Sequence, residues 1–223
     1  MAVTIDPKLR EVFPDLNVIS GRVDGVEVRS VDPELENFKE EVFSHVKQSY
    51  DLRSLKDGQT FRAYRDFFWR VGVDPTKTRP AAEALIRRVL RGRPIPCINT
   101  LVDAYNLASV KTEVAIAAFD VAKLSGPLTL RFAAGGERFR GIGMQKTVTL
   151  RGGEVVISDG VRLVAIYPYR DSDDSKITEK TRSALIIACG VPGISEERLM
   201  LAVETSLDLI VRFCGGRKNI FQG

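Results

Sequence analysis

The sequence predicts an α+β protein with a layered fold, in which antiparallel β-sheets are flanked by helices. In the first half of the chain, apolar residues recur at helical spacing. From about Val114, short β-branched runs alternate with glycine-containing turns, and a long apolar stripe at helical spacing returns after Ser195. Because helices precede and follow the strands, we expect them to cover the sheets.

Composition is typical of a protein with a packed core that works in a reducing compartment. The chain has 223 residues, of which 44% are hydrophobic, and a net charge of +4. Its three cysteines, Cys97, Cys189 and Cys214, are too far apart for a zinc knuckle or a disulfide framework. The charged N-terminus does not resemble a signal peptide, and no apolar run is long enough to span a membrane. We therefore expect a cytoplasmic protein with neither DNA nor a membrane as partner.

The N-terminal part is predicted to be extended as far as residue 31, with a hairpin at the Asp24-Gly25 turn signal. Asp32-Pro33 then marks the start of an amphipathic helix. Its apolar stripe consists of Leu35, Phe38, Val42, Val46 and Tyr50.

Three further helices are predicted before the sheet region. The first runs from about Thr60 to Val71, the second follows Pro80 and stops at Gly92, and the third begins near Asn99.

The sheet region contains the runs LTLRF, ERFRGIG, KTVTL, EVVIS and RLVAIYPY, which we interpret as antiparallel strands. The later run SALIIACGV fits a buried strand or a short helix, and we favour the strand. A final helix opens at Ser195 and stops at Gly215-Gly216. We divide the chain into residues 1–58 (an extended segment and a helix packing on the core), residues 59–215 (the main domain) and residues 216–223 (a tail).

Basic residues are concentrated between Arg62 and Arg93, where nine of them accompany three acidic residues. Arginine binds phosphate through paired hydrogen bonds, so this segment is a candidate RNA contact. The predicted RNA-binding residues are Arg62, Arg65, Arg87, Arg88 and Arg91. The interleaved aromatic residues could stack on bases, but their helical spacing favours a place in the core.

Polar residues also occur where apolar ones are expected. Asn106, Asp120 and Arg131 lie in otherwise apolar runs, which indicates either a structural Asp–Arg network or a binding pocket. Arg170 and Asp171 follow the strand that ends in AIYPY. A carboxylate at that strand end could hold a substrate ammonium or orient a water, or could belong to an ordinary solvated acidic loop.

Motifs for metals, nucleotides and histidine-dependent catalysis are absent. His45 is the only histidine, and the chain contains neither HExxH, nor GxGxxG, nor a Walker motif. We expect no metal and no cofactor.

Four ordered blocks carry a resemblance to a known family. They are RPAAEALIRR at 79–88, LVDAYNLAS at 101–109, AFDVAKLSGPLTLRFAAGGERF at 118–139 and VVISDGVRLVAIYPYRDSDDSKITEKT at 155–181. This ordered set resembles the B3/4 tRNA-binding and editing domain of the phenylalanyl-tRNA synthetase beta subunit, especially its free-standing relatives. The resemblance implies a B3/4 fold over residues 59–215.

The resemblance also implies roles for individual residues. The family's asparagine in the VDxxN pattern lines the editing pocket, which assigns that place to Asn106. Asp120, Arg131 and Glu137 match positions that shape the pocket. The sequence departs from the synthetase where a histidine is replaced by Ala117 and a glutamate by Ile187, and the threonine-rich editing loop has no counterpart.

The resulting hypothesis is a trans-acting deacylase that binds tRNA and hydrolyses the ester of a mischarged aminoacyl-tRNA. Candidate catalytic residues are Glu83, Asp120 and Asp171; candidate substrate-binding residues are Asn106, Arg79, Arg131, Glu137 and Arg170. The expected partner is aminoacylated tRNA, with a synthetase as a further candidate. The alternatives are a non-catalytic RNA-binding module associated with a synthetase, and a small-molecule amino-acid binder or hydrolase.

Overall fold

Eleven strands in the computed structural model, which describes residues 2–221, form three sheets. The strands are β1 (Val3–Ile5), β2 (Val18–Asp24), β3 (Ile116–Asp120), β4 (Leu128–Phe132), β5 (Arg138–Phe139), β6 (Val148–Thr149), β7 (Val155–Ser158), β8 (Leu163–Ile166), β9 (Arg170–Asp171), β10 (Ser183–Cys189) and β11 (Arg217–Phe221). The helices are α1 (Pro7–Val12), α2 (Pro33–Ser49), α3 (Gln59–Arg70), α4 (Ala81–Leu90), α5 (Thr100–Thr112) and α6 (Glu196–Cys214).

Capping side chains fix the starts of the longer helices. The carboxylate of Asp32 accepts a hydrogen bond from Leu35 N at the start of α2, and Asn99 Oδ1 accepts one from Val102 N at the start of α5. Ser195 caps α6 in the same way. These side chains satisfy N–H groups that have no partner inside the helix, which is why the predicted starts are correct.

The five-stranded sheet has the order β1-β4-β7-β8-β9. β1 pairs with β4 in parallel, and the other neighbours are antiparallel. One face packs on the main core through residues such as Leu130 and Ile157. The opposite face carries a smaller apolar cluster, including Phe139, Leu150 and Val156, that lies beneath β5 and β6.

The four-stranded sheet has the order β11-β2-β10-β3, and all its pairs are antiparallel. Six of the seven residues of β10 are buried, so the strand is apolar on both faces and its sequence shows no alternation. The preferred strand interpretation of SALIIACGV is confirmed. Helix α6 packs so closely on β2 that a Cβ at Gly21 would lie 2.6 Å from Leu207 Cδ1, which explains a glycine in mid-strand.

Two predictions for the chain ends were wrong. The N-terminal part forms α1 and β2 instead of a hairpin, because the partners of β2 are β10 and β11. Gly25 does adopt a turn conformation with φ of 74°, but the chain then leads towards α2. At the other end, Arg217–Phe221 form the edge strand β11, where we had predicted no element, while Gln222 and Gly223 of the tail lie outside the described residues.

The predicted fold class is confirmed: antiparallel sheets are flanked by helices in a layered α+β architecture. The division of the chain at residues 58 and 215 stays a prediction. β2, from the predicted first segment, lies inside the same sheet as β3 and β10. Among residues 2–221, no helix is both long and apolar enough to cross a membrane.

Candidate functional site

A cleft of about 90 Å³ opens where β9, the edge of the larger sheet, faces β3, the edge of the smaller one. Apolar walls come from Ile157, Ala165 and Ile166, and the N-terminus of α4 contributes Ala81. The polar lining comes from two residues singled out by the sequence, Arg170 and Asp171. The two sheets therefore bring a predicted catalytic carboxyl group into an apolar cleft.

Asp171 is the chemically distinctive group of this cleft. Its carboxylate is half-buried and accepts a hydrogen bond from Ala118 N at 3.3 Å. Burial raises the pKa of Asp171 from 3.8 to about 7, against the lowering effects of the Ala118 N–H and of the Arg170 charge. A carboxyl group with such a pKa exchanges protons near neutral pH, which suits a general base.

The hydrogen bond to Ala118 exists because β3 is an edge strand. Along a strand, the backbone groups of successive residues point alternately towards and away from the neighbouring strand. Ala115 O points towards β10, where it accepts from Cys189 N, whereas Ala118 N points away towards Asp171. Ile116 has the same parity as Ala118, so its N–H and C=O are directed to the edge at the cleft.

Two half-buried tyrosines and a buried cysteine lie near Asp171. Burial, and then the charge of Asp171, raise the pKa of the Tyr105 phenol above its usual value. The same two causes raise the pKa of the Cys189 thiol. Tyr169, which also lines the cleft, packs against Phe68 with ring centroids 5.7 Å apart. With their pKa values raised, the two phenols and the thiol stay neutral at physiological pH.

Of two predicted substrate-binding arginines, Arg170 lines the cleft and Arg79 lies two residues before Ala81, which lines it. Arg170 is exposed and donates a hydrogen bond to Ile142 O at 3.1 Å. Its aliphatic stem packs over Gly141, where a Cβ would lie only 2.4 Å from Arg170 Cγ. Arg79 is exposed, has no partner among residues 2–221, and stands two residues before Ala81.

Glu83, a second predicted catalytic residue, has a different environment. It is fully buried on α4, with its Oε1 2.7 Å from Arg87 Nε and its Oε2 3.1 Å from Arg65 Nη1. Both guanidinium groups are themselves largely covered. This carboxylate joins α3 to α4, and two of the predicted RNA-binding arginines are occupied by it.

The remaining predicted RNA-binding residues are only partly free. Arg62 donates to Asp57 O at 3.2 Å and Arg88 to Pro94 O at 2.5 Å. Arg91 is exposed and has no partner within the described part of the chain. Of the aromatic residues interleaved with them, Phe61, Tyr64, Phe67 and Phe68 are buried, and Trp69 is 57% exposed.

The polar residues embedded in apolar runs do not form one Asp–Arg network. Asp120 accepts hydrogen bonds from Ala122 N at 3.1 Å and from the Thr181 hydroxyl at 2.8 Å. Arg131 instead forms a bidentate pair with Glu137, at 2.9 and 2.7 Å. These contacts hold the turn after β3 and the turn after β4. Asp120, Arg131 and Glu137 therefore have structural partners apart from the cleft.

Asn106, which the resemblance assigned to the pocket, lies half-buried on α5 directly after Tyr105. Its side chain makes no hydrogen bond to any described residue. It is not among the residues that line the cleft. A ligand contact for Asn106 stays a prediction.

One group of potential metal ligands is present in residues 2–221: Glu36, Cys97 and Asp103. The ammonium of Lys39 already lies between the two carboxylates, 2.5 Å from Glu36 and 2.7 Å from Asp103. The Lys39 ammonium thus occupies the position between the two carboxylates and compensates one of their two negative charges.

Comparison with known proteins identifies the family. The sequence model of the B3/4 domain matches residues 63–215. The chain belongs to the B3/4 domain family. The resemblance predicted from the four sequence blocks is therefore confirmed.

Individual relatives are synthetase subunits. The chain is 30% identical over 128 residues to the phenylalanine–tRNA ligase beta subunit of Symbiobacterium thermophilum, covering 57% of this chain and 14% of that protein. The corresponding subunit of Pseudomonas fluorescens is 29% identical over 120 residues, covering 54% and 15%. An N-terminal fragment of the phenylalanyl-tRNA synthetase beta-subunit from Pyrococcus horikoshii shares the fold, with a TM-score of 0.51 at 15% identity over 97% of this chain and 50% of that fragment.

The two departures from the synthetase pattern lie side by side in this B3/4 domain. Ala117 and Ile187 are direct cross-strand partners between β3 and β10, and both are buried. The positions to which the resemblance assigns a histidine and a glutamate thus form an apolar pair in this chain. Ala117 lines the cleft with a methyl group.

Sequence reasoning missed the edge of β3 and Tyr105 as parts of this site. Ile116 and Ala118 contribute backbone groups, which leave no mark on residue type. Tyr105 stood within the LVDAYNLAS block, but its spacing did not indicate a neighbour more than sixty residues away in sequence.

Proposed function

We propose that this B3/4-domain protein hydrolyses the ester bond of a mischarged aminoacyl-tRNA in trans, with Asp171 as the general base. The observation that carries the proposal is a carboxyl group with a pKa of about 7 in an apolar cleft between two sheet edges. The family's synthetase relatives supply the link to tRNA. The chain spans about one-seventh of those relatives, so the activity rests on the site itself.

The chemistry requires little beyond positioning, because an aminoacyl ester is already activated. The Asp171 carboxylate takes a proton from a water whose oxygen attacks the ester carbonyl carbon. The tetrahedral intermediate then collapses with cleavage of the bond to the ribose oxygen, which receives that proton from the Asp171 carboxyl group. The products are a free amino acid and a tRNA with its terminal hydroxyl restored.

Backbone groups of β3 are placed to assist. The Ile116 N–H, directed to the free edge, is suited to donate to the developing oxyanion. Arg170, at the mouth, and the unpartnered Arg79 are suited to the terminal phosphates of the tRNA. Arg79 is exposed and its side chain has no partner in residues 2–221, whereas Arg170 is exposed but already donates one hydrogen bond to Ile142 O.

Cleft size favours a small amino acid. About 90 Å³ accommodates a side chain of a few heavy atoms, and Ala117 in the lining offers no polar partner to a large phenolic substrate. A small polar side chain within reach of Asp171 and of the β3 edge is the substrate class that we propose.

A non-catalytic RNA-binding module is the second candidate. The observation that favours it is that two of the three predicted catalytic carboxylates, Glu83 and Asp120, are held by internal partners, while the family's histidine position is Ala117.

The deciding experiment measures release of labelled amino acid from a panel of correctly and incorrectly charged tRNAs. We expect one mischarged species to be cleared by the wild type and Asp171→Asn to slow its clearance by about 10²–10⁴-fold. Asp15→Asn, at an exposed residue whose side chain has no partner among residues 2–221, is the matched control and should leave the rate unchanged. Asn106→Ala tests the contact implied by the family.

Binding of tRNA with no clearance of any charged species would favour the non-catalytic module. Clearance that survives Asp171→Asn would leave the deacylase in place but remove Asp171 as its base.

A further inference from the structure

The segment 134–153, here called the arm, is a two-stranded extension over the larger sheet. Backbone hydrogen bonds join its strands from Gly136 N to Leu150 O at 2.9 Å and from Leu150 N to Glu137 O at 2.8 Å. Phe139 and Leu150 face inward and are buried in the smaller apolar cluster. Arg138 and its cross-strand partner Thr149 are both exposed, so the arm has an inner apolar face and an outer polar face.

The arm carries an excess of positive charge. Residues 134–153 contain four basic side chains and one acidic side chain, Glu137, whose carboxylate is already paired with Arg131. Arg138, Lys146 and Arg151 are exposed, and their side chains have no partner among residues 2–221. Only Arg140 is neutralised, by Asp173 and Asp174 at 3.1 and 3.2 Å.

The arm is fixed to the strand that carries the cleft residues. Ile142 N donates to Asp171 O at 2.9 Å, and Arg170 Nη1 donates to Ile142 O at 3.1 Å. An isolated bridge between Gly141 and Ser172 continues this contact. A polyanion bound along the arm would therefore be held against the same element as Asp171.

We infer that the outer face of the arm is an RNA-phosphate contact surface that holds the acceptor end of tRNA beside the cleft, through Arg138, Lys146 and Arg151. The inference rests on the proposed function for the identity of the RNA. Unpartnered cations attract a phosphate backbone and release its counterions. They outnumber the one carboxylate without an ion pair that contacts the arm, Glu154, which accepts hydrogen bonds from Arg151 N and Gly152 N. The helical arginines predicted from the sequence contribute less, because Arg65 and Arg87 are held by Glu83.

The test compares two triple variants that remove equal charge. The arm variant carries Arg138→Gln, Lys146→Gln and Arg151→Gln. The control variant carries Lys8→Gln, Lys47→Gln and Arg53→Gln, which are also exposed and have no side-chain partner in the described residues. All six side chains are solvent-exposed, so both variants are expected to fold.

Affinity for uncharged tRNA is measured over a range of salt concentrations. We expect the arm variant to bind about tenfold more weakly or worse and to lose about 2–3 from the slope of log K against log salt, while the control stays near wild type. Equal losses in the two variants, or no loss in the arm variant, would overturn the inference. Binding to vesicles with anionic lipid that depends on the arm, without tRNA binding, would overturn it in favour of a membrane surface.

Hydrolysis provides a separate measurement. Aminoacyl-adenosine carries the ester without the phosphates of the acceptor stem, so the arm variant should cleave it at the wild-type rate while cleaving charged tRNA more slowly. If the wild type cleaves neither substrate but its tRNA binding still depends on the arm, the deacylase proposal fails and the arm surface stands.

Discussion

The α3–α4 pair and the β9 edge each place a carboxylate near arginine, with opposite results. Glu83 is fully buried between two guanidinium groups at 2.7–3.1 Å, so its charge is compensated inside the protein. Asp171 has Arg170 as its sequence neighbour, yet that guanidinium donates to Ile142 O. Its charge is left without an ion-pair partner among residues 2–221, and burial raises its pKa to about 7.

This difference shows that charge density along a sequence is a poor guide to function. The segment 62–93 contains nine basic residues, and two of them, Arg65 and Arg87, join α3 to α4 through Glu83. The carboxyl group suited to proton transfer is that of Asp171. Its one neighbouring arginine, Arg170, directs its guanidinium to Ile142 O instead. Uncompensated burial, rather than local abundance, marks the functional candidate.

Removing Glu83 is expected to have the largest effect. Glu83→Ala leaves two largely covered guanidinium groups without their anion and should lower the free energy of unfolding by about 3–5 kcal/mol. Urea denaturation measures it, with the exposed Asp66→Ala on α3 as a control expected to stay within about 0.5 kcal/mol. A loss below about 1 kcal/mol would mean that Glu83 is not the structural link described here.

Activity should depend on pH through Asp171. Because the carboxylate is the active form, kcat/KM for ester hydrolysis should fall as the pH drops below 7, approaching about tenfold per pH unit and reaching about 50-fold between pH 7 and 5. It should be flat above about pH 8, after subtraction of spontaneous hydrolysis. A profile in which Asp171→Asn keeps the same inflection would assign the titration to another group.

Stability should show the opposite sign of pH dependence at the same residue. The pKa of Asp171 is raised on folding from 3.8 to about 7, so folding takes up a proton and the stability present below about pH 4 declines up to about pH 7. Asp171→Asn lacks this decline. The difference in free energy of unfolding between Asp171→Asn and wild type should therefore increase, in favour of the variant, by on the order of 1–3 kcal/mol from pH 4 to pH 8. This range is smaller than the full pKa shift would give, because the group is half-exposed. Parallel stability curves for the two proteins would contradict the raised pKa.

Trp69 should matter least. It is 57% exposed on α3, so Trp69→Ala should change stability by no more than about 0.5 kcal/mol. Because the exposed face of α3 is expected to contribute little to RNA binding, Trp69→Ala should lower the affinity for tRNA less than about threefold. A larger loss, near the 1–3 kcal/mol of a stacked base, would place an unpaired nucleotide on α3.

The sequence predicted what local signals determine. Caps and apolar stripes located α2, α5 and α6, and the family blocks located the larger sheet. The pair of Glu83 with Arg87 was readable in principle, since residues four apart on a helix are neighbours. Arg170 and Asp171 were found because a strand end is a local feature.

Contacts between segments far apart in the chain could not be predicted from local sequence patterns. The Asp24-Gly25 signal is local and suggested a hairpin, whereas Ser183 of the actual partner strand β10 is 159 residues away from Asp24. The Ala118 N–H that meets Asp171 is likewise set by sheet order, and its residue type carries no trace of it. Arg131 was expected near Asp120 or a ligand, but a turn brought Glu137 to it instead.

The position of β2 in the sheet also determines how long this strand waits for its partners during synthesis of the chain. Synthesis of β2 is complete 159 residues before β10 begins, and at about 5–20 residues per second the interval is on the order of 10–30 s. Its other neighbour, β11, is made later still. During this interval β2 lacks its partner strands, and the side chains of Ile19 and Val23, buried in the folded protein, are exposed to other chains that could pair with it.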